Sequence, residues 1–306
     1  MQFLFYFITR QYSPLNRSAL PKSLLMLLPR FAVSLSHKII REGSMDPEEP
    51  PVFILHGLLS GKRNWKSIAK TIGNMTRRTV ITVDLRNHGG SPHVNSHKYE
   101  DMAADILQLF RRLGTKRASL VGHDMGGRAA MCVSLIAPQK VAGLLIVDIS
   151  PLSTCSQLKD EYIKILEAMK AVKFKSQKKV YKAKREAKKQ LKPIITDDVM
   201  MNSILYNINV KGDGVIGWTC NLDILIKYFK HIASFPKSIK GKKYSGPVLF
   251  VGGQLSDFLP PEDLNGIREM FPRAVITYIP KTGHNLQVDD PKSFLELAIA
   301  FIRTNH

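Results

Sequence analysis

The chain has 306 residues, 44% of them hydrophobic and 23% charged, which is enough apolar side chain for a sizeable core. This excludes wholesale disorder and any collagen-like or low-complexity architecture. Three cysteines, Cys132, Cys155 and Cys220, exclude a disulfide framework and fit no zinc spacing, so a reducing compartment and no metal site are expected.

The formal net charge is +20, and it is concentrated in two segments. Residues 1–41 carry Arg10, Arg17, Lys22, Arg30, Lys38 and Arg41 and no acid. Their apolar, Ser-bearing, acid-free composition is that of a mitochondrial transit peptide, and a matrix destination is expected. Neither apolar stretch reaches the roughly 18 residues that span a bilayer, and Pro29 and Arg30 interrupt the second. A short membrane anchor is the alternative. The folded domain is expected over residues 42–306.

From residue 50 short apolar runs alternate with helical patterns. Val52 to Leu55 reads as a buried strand and Lys62 to Asn74 as a helix. Thr79 to Val83 is β-branched and reads as a strand. Met102 to Leu113 has the spacing of a helix with one buried face. Ala118 to Val121 is a strand, Met125 to Ala137 a small-residue helix stopped by Pro138, and Leu144 to Val147 a strand. Val248 to Val251 and Ala274 to Ile279 add two more, each followed by a helical pattern. Such alternation predicts an α/β fold with a mostly parallel sheet covered by helices on both faces.

Between residues 152 and 243 the alternation stops, and helices with loops are expected there. Asn221 to Phe235 places Leu222, Leu225, Phe229 and Ile232 on one face. The segment reads as a helical lid over the carboxyl ends of the strands, where ligands of α/β folds bind. Within it, residues 159–192 hold 13 Lys or Arg against four acids. That charge suits a solvated helix face, or a peripheral contact with an anionic membrane. No interleaved aromatic pattern accompanies it, so no nucleic-acid partner is expected.

Four places can carry chemistry. Gly122-His123-Asp124-Met125-Gly126-Gly127 lies between a strand and a helix, the setting of a G-x-S-x-G nucleophile elbow, with Asp in the Ser position. Its glycines permit a tight turn that lifts Asp124 to the top of the sheet, where the helix start favours a carboxylate. The competing reading is a plain helix cap. His56-Gly57-Leu58 follows the first strand; the Leu58 N–H, with that of Met125, would form an oxyanion hole, and His56 itself reads as structural. Asp148 ends a strand and points toward the cleft, where it can orient a histidine; an Asx-turn before Pro151 is the alternative. His284 follows the last strand, giving the chain order nucleophile, acid, histidine. Ser256 and Asp257 are placed to assist His284. No dinucleotide or phosphate-loop fingerprint is present, and no cofactor is expected.

The stretches FILHGLLSGKRNWKSIAK, VDLRNHGGSPH, LVGHDMGGRAAM, LLIVDISP, NLDIL, FVGGQLSDF and TGHNLQVDDP resemble the α/β-hydrolase superfamily, and within it the family of abhydrolase domain-containing protein 11 and the YbfF-type esterases. The resemblance runs from about residue 50 to 303. It implies a small-molecule or lipid-ester substrate, mitochondrial residence in animals, and a triad whose second and third members fall on Asp148 and His284, with Ser256 as the extra hydroxyl. The family's Ser is Asp124 here. Three expectations follow. Asp124 is a nucleophile of the epoxide-hydrolase or dehalogenase type; or the protein hydrolyses esters with His284 activating water; or it is a non-catalytic binding protein.

Overall fold

The run VFIL at Val52–Leu55 forms β2, buried on both faces, beside the middle of a seven-stranded sheet ordered β1-β3-β2-β4-β5-β8-β9. The computed structural model describes residues 32–41, 46, 48–174, 179–211, 214–239 and 241–305. The strands are β1 (His37–Ile40), β3 (Val80–Val83), β4 (Ala118–His123), β5 (Val141–Val147), β8 (Val248–Gly253) and β9 (Ala274–Ile279). All neighbours are parallel except β1, which pairs antiparallel with β3. The central runs are apolar because helices cover both faces.

On one face lie α2 (Tyr99–Arg112) and α3 (Met125–Ile136), packing Met102, Ile106, Phe110 and Ala129 onto Phe53, Leu120 and Leu144. On the other lie α1 (Lys66–Thr76) and α11 (Pro291–Thr304), packing Ile68, Ile72, Phe294 and Ile302 onto Ile54, Val121 and Leu145. The helix expected from Lys62 starts at Lys66, because residues 62–65 form turns.

Strand β1 lies inside the 1–41 stretch expected as a leader, so the sheet begins ahead of residue 42. Val33 N–H donates to Asp105 Oδ1 at 2.7 Å and Leu35 is buried. The strand is not legible in sequence because it is an edge, with only Ile40 of HKII buried. The remainder of the leader expectation, residues 1–31, lies outside the described residues.

Between β5 and β8 the chain forms a π-turn (Gln157–Glu161), then α4 (Tyr162–Ala171), α5 (Val180–Leu191) and α6 (Asp198–Leu205). A small hairpin follows, β6 (Ile208–Val210) antiparallel to β7 (Ile216–Trp218), then α7 (Leu222–Lys227) and α8 (Phe229–Ile232). The hairpin corrects the all-helical expectation; three-residue strands are too short to show a period of two. The expected helix over 221–235 breaks at Tyr228, yet Leu222, Leu225, Phe229 and Ile232 are all buried.

Arg128 of α3 fastens this insert. Its guanidinium is buried and donates to the carbonyls of Ser150 (3.1 Å), Ile232 (3.1 Å) and Ser153 (2.8 Å). The Tyr99 hydroxyl donates to the same Ile232 carbonyl at 2.7 Å. Asn207 Nδ2 donates to Leu59 O at 2.6 Å, tying the insert to the loop after β2. Among the described residues no helix is long and apolar enough to cross a membrane.

Candidate active site

The turn after β4 is tight because two glycines permit it. A Cβ on Gly122 would sit 2.5 Å from Gly126 O, and one on Gly126 would sit 2.4 Å from Leu55 O. Asp124, between them, is held at φ 48° and ψ −121°. This backbone is costly for a non-glycine residue and persists because its surroundings over-determine it. Asp124 N–H donates to Val147 O at 3.1 Å, and Asp124 O accepts from Gly127 N at 2.8 Å and Arg128 N at 3.1 Å.

The Asp124 side chain does not cap its own helix. Oδ2 accepts the Leu58 N–H at 2.9 Å instead. Leu58 N–H was expected to serve a substrate oxyanion; in this structure the Asp124 carboxylate takes it. The second expected donor, Met125 N–H, is the first of α3, a position with no acceptor inside its own helix.

Neutral imidazoles support the Leu58 loop from beneath. His56 Nδ1 donates to Gly57 O at 2.8 Å, which leaves Nε2 to accept Leu85 N–H at 3.0 Å. Burial pushes His56 down and His88 down to about 3. His97, pushed well down by burial and then by His88, presents Nε2 to Met125 Sδ at 3.3 Å. His56 is therefore structural, as its sequence setting suggested.

Asp148 ends β5 at φ 49° and is fully buried. Its Oδ1 accepts Gly253 N–H at 2.9 Å. Its Oδ2 accepts His284 Nδ1–H at 2.8 Å and the Ser256 hydroxyl. Burial alone would push His284 down, but the hydrogen bond and charge of Asp148, with Asp124 and Asp257 behind them, hold it above its ordinary value. The ring stacks on Phe258 with centroids 3.7 Å apart. His123 Nε2 donates to His284 O at 3.0 Å, and burial followed by His284 pushes His123 to about 4.

Ser256, expected to assist His284, reaches it through Asp148, to which its hydroxyl donates. It fixes the carboxylate that fixes the ring. Asp257 is exposed and reaches His284 through charge alone.

Asp124, His123 and His284 line one cavity of about 360 Å³, walled by Leu58, Trp65, Ile68, Ile204 and Tyr162. Tyr162, the first residue of α4, was not singled out in the sequence. It is buried and its hydroxyl has no hydrogen-bond partner among the described residues; burial and then the Asp124 charge push it upward. His123 and Phe258 were missed too. A signal existed for His123, which immediately precedes the elbow residue; none existed for Phe258, whose role depends on loop packing. No group of three or more potential metal ligands occurs among the described residues.

The geometry couples an oriented imidazole to a carboxylate seated on a backbone donor, at the top of a parallel sheet. A family model for the alpha/beta hydrolase fold matches residues 50–193. The chain is similar to the sn-1-specific diacylglycerol lipase ABHD11 of Mus musculus, with 37% identity over 84% of this chain and 82% of that protein. It is 36% identical to the protein of that name from Danio rerio, over 84% of this chain and 79% of the relative. A solved marine microorganism esterase superposes with a TM-score of 0.78 at 31% identity, covering 88% of this chain and all (100%) of that one. Strand order, elbow and shared sequence together make this chain a member of the α/β-hydrolase family.

Proposed function

We propose that this chain is a hydrolase of apolar ester-type substrates, lipid esters included, working at Asp124, Asp148 and His284. The observation that carries this reading is the Asp148–His284 hydrogen bond, 2.8 Å long, which orients the imidazole that lines the cavity together with Asp124. Similarity to diacylglycerol lipases supports the substrate class.

His284 keeps its Nδ1 proton on Asp148 and offers Nε2 to water. The water gives a proton to Nε2 as its oxygen bonds the ester carbonyl carbon. The carbonyl oxygen takes the Leu58 N–H as the Asp124 carboxylate leaves it, and the alcohol departs with the proton from His284. Triads stripped of their nucleophile retain about 10³–10⁴-fold catalysis over water, so slow turnover is expected.

A second reading is favoured by one hydrogen bond, that of Leu58 N–H to Asp124 Oδ2. Here Asp124 Oδ1 bonds a saturated carbon while the leaving group departs with its electron pair. Water activated by His284 then attacks Asp124 Cγ, negative charge collects on Oδ2 against the Leu58 N–H, and collapse releases the alcohol and restores the carboxylate.

One experiment separates the readings. His284→Ala protein is incubated with a panel of esters, epoxides and alkyl halides and weighed intact, with Asp124→Asn as control. An adduct mapping to Asp124 establishes the second reading. No adduct, with ester turnover by the unmutated chain that depends on His284, establishes the first. Neither turnover nor adduct overturns both and leaves a hydrolase-fold binding protein.

A mitochondrial matrix destination rests on the acid-free, Arg-bearing amino terminus. Imaging the full chain with a carboxyl-terminal tag tests it, and a signal outside mitochondria overturns it.

A further inference from the structure

The mouth of the catalytic cavity is rimmed by exposed apolar groups. Val199 of α6, Tyr206 just after it and Val288 of the short helix α10 (Leu286–Asp289) line the cavity and are 40%, 60% and 56% exposed. Single exposed apolar residues are ordinary on a protein surface. Three around one opening, with cations among them, are a pattern that needs a cause.

Arg63 lines the same opening and is exposed. Lys184 of α5 stands over the Tyr206 ring, its Nζ 5.0 Å from the centroid. Burial, and then the charge of Arg63, pushes Lys184 below the ordinary lysine value. Lys184 thus sits at the ring, and Arg63 is near enough for the two charges to interact. Among the described residues lining the cavity the sole carboxylate is Asp124, at its floor. The nearby acids of α6 are engaged: Asp197 caps Met200 N–H at 2.6 Å and Asp198 pairs with Lys188 at 3.3 Å. Helix α5 buries Ala183, Ala187 and Leu191 and exposes Lys182, Arg185 and Lys189.

We propose that this rim docks on an anionic lipid bilayer, with Val199, Tyr206 and Val288 entering the headgroup boundary and Arg63, Lys184 and the outer face of α5 meeting lipid phosphates. An apolar rim alone would suit several occupants. The positive excess of the adjoining helix α5, five cations against the single acid Glu186, selects an anionic surface, because apolar burial and attraction to anionic headgroups add together in interfacial binding. The docked mouth faces the lipid directly, so a substrate tail passes from bilayer to cavity without crossing water. This purpose rests on the lipid-ester reading above. Docking itself is measured without turnover, so either idea fails without taking the other with it.

The test is co-sedimentation of the full chain with vesicles of phosphatidylcholine, with or without one third phosphatidylglycerol. The chain is expected on the anionic vesicles only, less so as salt rises. Arg63→Gln with Lys184→Gln should weaken binding at least about tenfold, from the usual contribution of each basic residue near such a surface. Val288→Asp should weaken it as well. Lys116→Gln with Lys140→Gln removes the same charge near the amino ends of β4 and β5, away from the mouth, and should leave binding unchanged. The basic amino terminus is common to all variants, so the differences isolate the mouth. Circular dichroism confirms that each is folded. Equal binding to neutral vesicles, binding to neither, or equal losses from the mouth and control pairs would overturn the proposal.

Discussion

Asp124 and Asp148 stand at the carboxyl ends of neighbouring strands, β4 and β5, both at positive φ (48° and 49°). They are the same residue type in nearly the same backbone setting, and they end in different states. Asp148 is closed off: Gly253 N–H, the Ser256 hydroxyl and His284 Nδ1–H all donate to it, and none of it is exposed. Asp124 accepts the Leu58 N–H and lines the cavity. A carboxylate saturated by fixed donors is an anchor, whereas one with an oxygen facing the cavity can react or be displaced. Their surroundings differ as well. Behind Asp124 lie imidazoles that burial keeps neutral, while Asp148 holds an imidazole above its ordinary value.

The largest effect should come from breaking the anchor. Asp148→Asn keeps the shape but turns an amide toward His284 Nδ1–H, so the ring loses its orientation and its charge support. Loss of the His284-dependent turnover is expected, measured on whichever substrate the panel identifies. Next is conversion of the member that lines the cavity. Asp124→Ser supplies a hydroxyl and frees the Leu58 N–H for a substrate oxyanion. Because one such donor is worth about 10²–10³-fold, p-nitrophenyl ester turnover should rise by about that factor.

The surroundings give a pH prediction. Burial pushes His56, His88, His97 and His123 below their ordinary value of about 6.5. Below that value the unfolded chain binds protons that the native chain refuses. Stability is therefore full above about pH 6.5 and falls as the pH drops through it, with His123 taking its proton at about 4 and His88 at about 3. His284 runs the other way: its contribution is full below about 6.5 and fades as the pH rises through its folded value. Four groups against one make acid the destabilising side, and the urea midpoint should fall steadily from pH 7 to pH 4. The smallest effect compares the carboxylates directly. NMR titration of His284 should show a downward shift in Asp124→Asn and a larger one in Asp148→Asn, because Asp148 contributes a hydrogen bond as well as charge.

Much of this site was legible in the chain. Asp124, Asp148 and His284 each follow a strand, and strands buried on both faces announce themselves as apolar runs such as VFIL and LLIV. The elbow was legible because Gly122 and Gly126 bracket Asp124 at a spacing that only a close strand–helix turn requires. Strand β1 and the β6–β7 hairpin were not: an edge with one buried residue, and strands of three, leave no periodic trace. Tyr162 was not, because a tyrosine at a helix start is unremarkable until the insert folds down over Asp124.

The sequence by itself determined the alternation of elements, the insert between β5 and β8, and the presence of a carboxylate, a second carboxylate and a histidine at three strand ends. These follow from local apolar patterning and glycine spacing, which need no knowledge of distant contacts. Only the tertiary structure decided what each group bonds. Leu58 and Asp124 are 66 residues apart, Asp148 and His284 are 136 apart, and Ser256 and Asp148 are 108 apart. Hydrogen-bond partners so distant in sequence are chosen by the register of parallel strands and the loops that cross their ends, and that choice separates a saturated carboxylate from one that opens on the cavity.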